Sequence, residues 1–438
     1  MAYSSKGSLP IERASKIGHL KIIQEPHINR LIEAFESVDS EPDASLGEVT
    51  GTIDLEGDTG IENVVAVDGS HAAIPNEILQ HKRIAFVTAG AVVMRISQLR
   101  AMRESPIIDP RELSQQLRNS THTTAGAIPL AGVVIPGETV VKSIRKSIDD
   151  LLRYSNLYDT LQFLISREWD PSYSMQEHME CYDCGKDIVL PRSKKQFTCS
   201  ACGSPHTLAD YLRITESQPD DWAREEAVIN LRNVLETLML FQLIISSQKN
   251  STILERTLFI KDGPLLLRAQ LSRLVEPIRA FLKWMRNQNK PVKLLGVEKS
   301  GALVEHLPLI RNVLTKPGNF FLPSIRYLHE RIEGTTFDPR TYRNRVQYGA
   351  KLVVRLGVSH TVVLNIATGT DEFLHSPTEG DLMGFPDAVS VLSELLSYSH
   401  ENALIPLVLA NAATSISMAP SSEILTNFAQ RVLEAHHV

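Results

Sequence analysis

Apolar and polar positions divide the chain into segments of different period. Residues 10–36 carry Ile11, Ile17, Leu20, Ile23, Leu31, Ile32 and Phe35 at helical spacing, and the polar, acidic stretch SVDSEPDASLGE ends that pattern. The β-branched run NVVAVDGS then predicts a buried strand with Asp68 at its end, and HKRIAFVTAGAVVM a second strand or pair of strands. Residues 100–222 read as an insertion, in which VKSIRKSIDDLLRYSNLYDTLQFLISREW is helical and leads into a window of cysteines. Beyond it REEAVINLRNVLETLMLFQLIISS predicts a long helix, TLFIKDG a strand, LLLRAQLSRLVEPIRAFLKWMRN a helix and PVKLLGVEKSG a strand. The last third offers the strands AKLVVRLG and HTVVLNIATG, then the helices PDAVSVLSELLSYS and NALIPLVLANAATSIS. Strands alternating with helices, with polar residues at the strand ends, make an α/β pattern in which everything after Trp222 belongs to one core.

Composition narrows the class. With 438 residues, 43% hydrophobic and 22% charged, the chain can bury a substantial core, and fibrous or wholly disordered classes are excluded. A formal charge of −6 argues against a globally basic nucleic-acid coat but leaves room for a local basic groove. The start MAYSSKGSLPIERASKI lacks the basic-then-apolar order of a signal peptide, and no run approaches the roughly 18 apolar residues of a membrane span. A cytoplasmic protein is therefore expected.

All four cysteines fall in one window, as Cys181 and Cys184 in CYDC and Cys199 and Cys202 in CSAC. Two Cys-x-x-Cys knuckles at this separation suit a tetrahedral four-thiolate shell around one structural Zn²⁺ in a zinc ribbon. The intervening LPRSKKQF carries Arg192, Lys194 and Lys195, which suit either phosphate contacts or a solvated turn.

Two Asp-Gly pairs end apolar strands, Asp68 in VVAVDGS and Asp262 in LFIKDGPL. If these strands are neighbours, both carboxylates meet at one sheet edge, where hard oxygen ligands hold Mg²⁺ or Mn²⁺. The helix between them offers Glu236 within an apolar stretch, as a third ligand or a side chain reaching the helix edge. Lys299 follows the strand LLGV and is placed to neutralise a phosphate, or simply ends the strand. In DPRTYRNRVQYGAKLVVR, Arg340, Arg343, Arg345 and Lys351 interleave with Tyr348 and Tyr342, a pattern that suits a single-strand DNA groove or a salt-bridged surface.

Together VAVDGSHA, LRNVLETL, LFIKDGPLLL, LLGVEKSGALVEH and NALIPLVLANAATSIS resemble, in order and spacing, the motifs of the NurA nucleases. The ribbon with its trailing LADYLRITE resembles a bacterial subgroup carrying that insertion. The resemblance implies a ribonuclease-H-like core built from residues 49–100 and 223–438, with an N-terminal helical segment at 1–48 and an insertion at 101–222 holding the ribbon at about 178–206. It implies a Mn²⁺- or Mg²⁺-dependent deoxyribonuclease with a two-metal mechanism, Asp68, Asp262 and Glu236 as ligands and Lys299 supporting the phosphate. It further implies a homodimer docked on a HerA-like hexameric ATPase, acting in DNA end processing or defence against foreign DNA. At the C-terminus the family's tyrosine and histidine positions fall on Ala403 and Asn411, so the remaining ligand is sought among Asn411, His400 and Glu401. That departure keeps open a rival reading, a non-catalytic DNA-binding adaptor of the ATPase.

Overall fold

The computed structural model describes residues 22–35, 50–74, 82–104, 120–192, 194–215, 221–340, 342–397, 403–417 and 420–435. The chain divides into two compact units, 1–44 and 45–438. In the first, helix α1 (Pro26–Glu33) has no buried residue and carries Leu31 and Ile32 on its surface. Most of the preceding helical pattern lies outside the described residues.

In the second unit, β1 (Thr50–Thr52), β2 (Asn63–Ala73), β3 (Arg83–Arg95) and β4 (Thr121–Ala131) come first. Two small hairpins follow, β5 (His178–Glu180) with β6 (Asp187–Val189), and β7 (Gln196–Thr198) with β8 (Pro205–Thr207). The chain then adds β9 (Thr257–Asp262), β10 (Leu294–Glu298), β11 (Asn319–Phe321), β12 (Gly349–Arg355) and β13 (Thr361–Ala367). All but the hairpins join one mixed sheet in the order β1-β11-β12-β13-β10-β9-β2-β3-β4. Strands β2, β3 and β4 form an antiparallel meander, β9 lies parallel to β2, and β10 lies parallel to β9.

Of the two forms expected for the second apolar run, the sheet has the single strand, β3, and residues 121–131 pair with it in the main sheet as β4. Strand β4 carries few β-branched apolar residues and contains Pro129, which is tolerated because β4 is an edge strand with one side unpaired. The excursion from the core is therefore shorter than predicted, beginning with helices α2 (Val140–Tyr154) and α3 (Leu157–Ser166) and ending after the hairpins.

Period-two alternation sends each strand's side chains to two cores. Val65 and Val67 of β2 and Phe259 of β9 enter one core with helix α4 (Asp221–Gln248) and helix α5 (Val275–Asn287). Val64 and Ala66 of β2 and Leu258 and Ile260 of β9 enter the opposite core with helices α6 (Phe385–Glu394) and α7 (Ile405–Thr414). Helix α4 has the length and hydropathy of a membrane span, yet 67% of its apolar window is buried inside the protein, with Leu231, Leu235, Leu238 and Phe241 fully covered. It is the central helix of the first core.

The ribbon is tied to this body by polar contacts. The Tyr158 hydroxyl on α3 donates to the Lys195 carbonyl at 2.7 Å and accepts the Leu208 N–H at 2.8 Å. Arg145 on α2 donates to both oxygens of buried Asp210, at 2.8 and 2.6 Å. Lys195 pairs with Asp159 and Arg192 reaches the Tyr173 carbonyl, so two of the cations between the knuckles serve the ribbon's attachment. We expect Tyr158→Phe, which removes both hydroxyl bonds while preserving the ring, to destabilise the protein by about 1–2 kcal/mol. Urea denaturation measures this, and an unchanged midpoint would show that the hydroxyl contributes nothing to docking.

Candidate active site

Parallel pairing of β2 and β9 runs from Asn63↔Thr257 to Val67↔Lys261, so Asp68 and Asp262 are the next residues along the same register. Both follow residues of the second core in the alternation, so the two carboxylates lie on one face of the sheet, Asp262 at the end of β9 and Asp68 just past the last residue of β2 that pairs with β9. Asp68 does not end its strand as the sequence suggests, because β2 continues to Ala73 paired with β3. The turn after Asp262 is built to fit. Gly263 has φ +83°, a left-handed conformation suited to glycine, and its N–H bonds the Val297 carbonyl at 2.9 Å. Beside that turn β10 carries Gly296, where a Cβ would lie 2.3 Å from the Gly263 carbonyl oxygen.

Asp68 is 4% exposed and half of its hydrogen-bonding capacity is satisfied locally. Its Oδ1 accepts the Gly69 N–H at 2.7 Å, and its Oδ2 accepts the Asn411 side-chain N–H at 2.9 Å. Burial, followed by the negative charge of Asp262, pushes its pKa up to about 6 against the lowering effect of those two donors. Lys299 lies 2.8 Å from Asp262 and is 43% exposed. Two oxygen donors of like charge, on one face of adjacent strands, form the donor set that a hard divalent cation fits.

Glu236 meets the site from the other face. On α4 it is 3% exposed, and a Cβ on Gly69 would lie 2.8 Å from its Oε1, so glycine there lets helix and strand approach. Its Oε2 accepts from Lys261 Nζ at 2.7 Å, and Arg232, one turn earlier on the helix, lies 3.4 Å from Oε1. Lys261 also donates to the Asp262 backbone carbonyl at 3.1 Å. Burial opposes the Lys261 ammonium, but Glu236, Tyr348 and Asp262 together outweigh it and leave its pKa raised. Asp68, Arg232, Glu236, Lys261, Asp262 and Asn411 line a cleft of about 800 Å³, together with His71 and Arg268. His71 has its pKa lowered by burial and by Arg232.

Asp68, Glu236, Asp262, Lys299 and Asn411 thus converge, Lys299 through its pairing with Asp262. Asn411 reaches the site as a hydrogen-bond donor to Asp68, whereas His400 and Glu401 lie outside the described residues. The expected DNA-binding segment is only partly available. Tyr348 is 1% exposed and packs its ring against Phe241 in the core, so it cannot stack on a base. Lys351 is partly buried and donates to Glu298, and Arg343 pairs with Glu333, so neither ammonium nor guanidinium is free for phosphate. Arg340 is exposed near Asp338, and Arg345 lies over the Tyr342 ring at 5.9 Å. Lys261, Arg232, His71 and Arg268 were not among the expected site residues. The spacing of Arg232 four residues before Glu236 is a visible helical pairing signal, whereas the burial of Lys261 depends on its partner across the core.

The cysteines form a separate cluster. All four sulfurs lie within 4.8 Å of one another, with Cys181–Cys202 at 3.6 Å and Cys184–Cys199 at 3.7 Å. A tetrahedron of thiolates about 2.3 Å from zinc has edges of about 3.8 Å, so the arrangement is compatible with Zn²⁺. The knuckles repeat one another: the N–H of Gly185 bonds the Cys181 carbonyl, and that of Gly203 bonds the Cys199 carbonyl, each at 2.9 Å. Fully buried His206 sets Nε2 3.2 Å from Cys181 Sγ, with its other ring nitrogen facing Arg145 and Asp210.

No protein-family model matches the chain, and no curated protein matches it. Among solved structures, a crystal structure of NurA bound to dAMP and manganese is similar at 12% identity over 94% of both chains, with a TM-score of 0.24. A score that low bears on neither fold nor function.

Freshly purified protein is expected to carry one zinc per chain, lost in Cys181→Ser with Cys199→Ser; elemental analysis showing no zinc would refute the ribbon. The raised pKa of Asp68 has a further consequence. Its folded value of about 6 lies above the ordinary 3.8, so the folded state holds more protons between those values, and metal-free stability falls as pH rises from about 4 to about 7. Asp68→Asn is therefore expected to stabilise the metal-free protein at pH 7.5 by about 1–3 kcal/mol and to abolish any thermal shift caused by Mn²⁺. Denaturation at pH 5 and 7.5 checks both, and a destabilised variant at pH 7.5 would contradict the assignment.

Proposed function

We propose that this chain is a NurA-like deoxyribonuclease that hydrolyses phosphodiester bonds with Mn²⁺ or Mg²⁺ in the cleft where the pairing of β2 with β9 ends. The observation that carries the reading is the pair of carboxylates, Asp68 and Asp262, on one face of these adjacent strands just past that pairing, with Asp68 shifted to about 6. The ribonuclease-H-like core is supported by the strand plan. An antiparallel meander of β2, β3 and β4 is followed by β9 parallel to β2, with an acid midway along the first of these strands and another at the end of the fourth, and α4 between β4 and β9.

Asp68 and Asp262 would hold a hard divalent cation through their anionic oxygens, and the cation would supply Lewis-acid activation of the phosphate and of the attacking water. Asn411 fixes the Asp68 carboxylate by its 2.9 Å hydrogen bond and keeps that carboxylate more acidic than burial alone would. Lys299, exposed enough to swing, would pair with a phosphate oxygen in place of Asp262 when that carboxylate held a cation. Exposed Arg268 extends positive charge along the cleft and is the natural contact for a neighbouring phosphate. The four-cysteine cluster holds a structural zinc, since a closed thiolate shell leaves no position for substrate.

The motif resemblance adds a homodimer and a HerA-like hexameric ATPase that feeds DNA to the cleft, in end processing or in defence against foreign DNA. Purified protein incubated with linear DNA and Mn²⁺, with and without such an ATPase, tests the activity. Asp68→Ala and Asp262→Ala are each expected to lower cleavage by at least about a thousandfold while circular dichroism stays unchanged. Near-normal cutting by Asp68→Ala would overturn the site.

A further inference from the structure

We infer that the catalytic centre holds one divalent cation per chain, and that buried Lys261 supplies as a fixed charge what a second ion would otherwise bring. The inference rests on the nuclease reading above and replaces the two-ion arrangement implied by the sequence motifs.

Three observations carry it. Asp68 and Asp262 share one face of the sheet with Asn411, whereas Lys261 and Glu236 belong to the opposite face, as the alternation of Leu258, Phe259 and Ile260 between the two cores requires. The third carboxylate is also already engaged. Glu236 Oε2 accepts from Lys261 at 2.7 Å and Oε1 faces Arg232, with both Glu236 and Lys261 about 5% exposed or less. The two lysines of the site therefore differ in kind. Lys299 is 43% exposed and can leave Asp262 for solvent or phosphate when a cation arrives. Lys261 has no such route, because withdrawing it would strand a buried carboxylate, and its second hydrogen bond anchors it to the Asp262 backbone.

A second divalent ion at Glu236 would have to sit against this ammonium, at a carboxylate whose two oxygens already face Lys261 and Arg232. The repulsion disfavours it. Lys261 instead acts as a positioning residue. It ties α4 to the end of β9, aligns the Asp262 backbone, and presents permanent positive charge beneath the cleft where phosphate binds.

Titration of the zinc-loaded, full-length protein with Mn²⁺, followed by calorimetry and electron paramagnetic resonance, tests this without reference to cleavage. One Mn²⁺ per chain with an uncoupled six-line spectrum is expected. Two Mn²⁺ per chain, or an exchange-coupled spectrum, would overturn the inference and leave the metal-dependent nuclease standing. No Mn²⁺ bound would overturn both. The volume-matched pair Glu236→Gln with Lys261→Met provides a second measurement. Its Mn²⁺ affinity is expected to stay within about threefold of the parent, whereas Asp68→Asn loses more than about tenfold. A loss of more than about tenfold in a folded double variant would make Glu236 a ligand and refute the single-ion centre.

Discussion

The parallel register of β2 against β9 is the constraint on which the rest depends. It sets Val67 opposite Lys261, and the next residue along each strand is therefore an aspartate facing an aspartate. Parallel neighbours need a long crossover connection, and here the chain between them contains the meander strands, the ribbon and α4. Everything inserted between β2 and β9 must return α4 to the sheet in one orientation. A slip of one residue would turn Asp68 away from Asp262 and push Val67 out of the first core. Apolar packing thereby pins the chemistry, because the valines and leucines of both cores cannot tolerate the slip.

Charge is handled by segregation. Burial, together with the repulsion between the two aspartates, leaves Asp68 poised near pH 6, while Glu236 and Lys261 cancel each other on the opposite face of the same strands. A buried ion pair of this kind is a weak source of stability, since desolvation of both groups consumes most of the attraction. Its value is positional. By bridging α4 and β9 it fixes the helix that closes one wall of the cleft, and Gly69 lets the two elements approach closely enough to do so. The site thus combines one strained pair, open to a cation, with one satisfied pair that resists it.

The ribbon solves a different problem. Its strands are three residues each, too short to hold a fold by pairing alone, so cohesion falls to the cysteine cluster and to its anchors on α2 and α3. Arg145, Asp210 and His206 form a continuous polar chain from α2 to Cys181, so the helical part of the excursion and the cysteine shell are one mechanical unit.

By itself the sequence determined the elements whose signal is local: the apolar runs around Asp68 and Asp262, the long helix bearing Glu236, and the paired Cys-x-x-Cys knuckles, whose spacing limits how the sulfurs can meet. Residues 121–131 escaped because alanine, glycine and proline carry little strand signal, and an edge position supplied by β3 made them a strand. Tertiary structure alone decided the environments of individual side chains. Tyr348 and Lys351 stand in a basic, aromatic segment that looks made for nucleic acid, yet the packing of β12 turned one into the core and paired the other with Glu298. Lys261 was visible in the motif LFIKDG, but its neighbour across the core was not. A lysine's role depends on which carboxylate long-range packing sets 2.7 Å away, and sequence spacing carries no record of that contact.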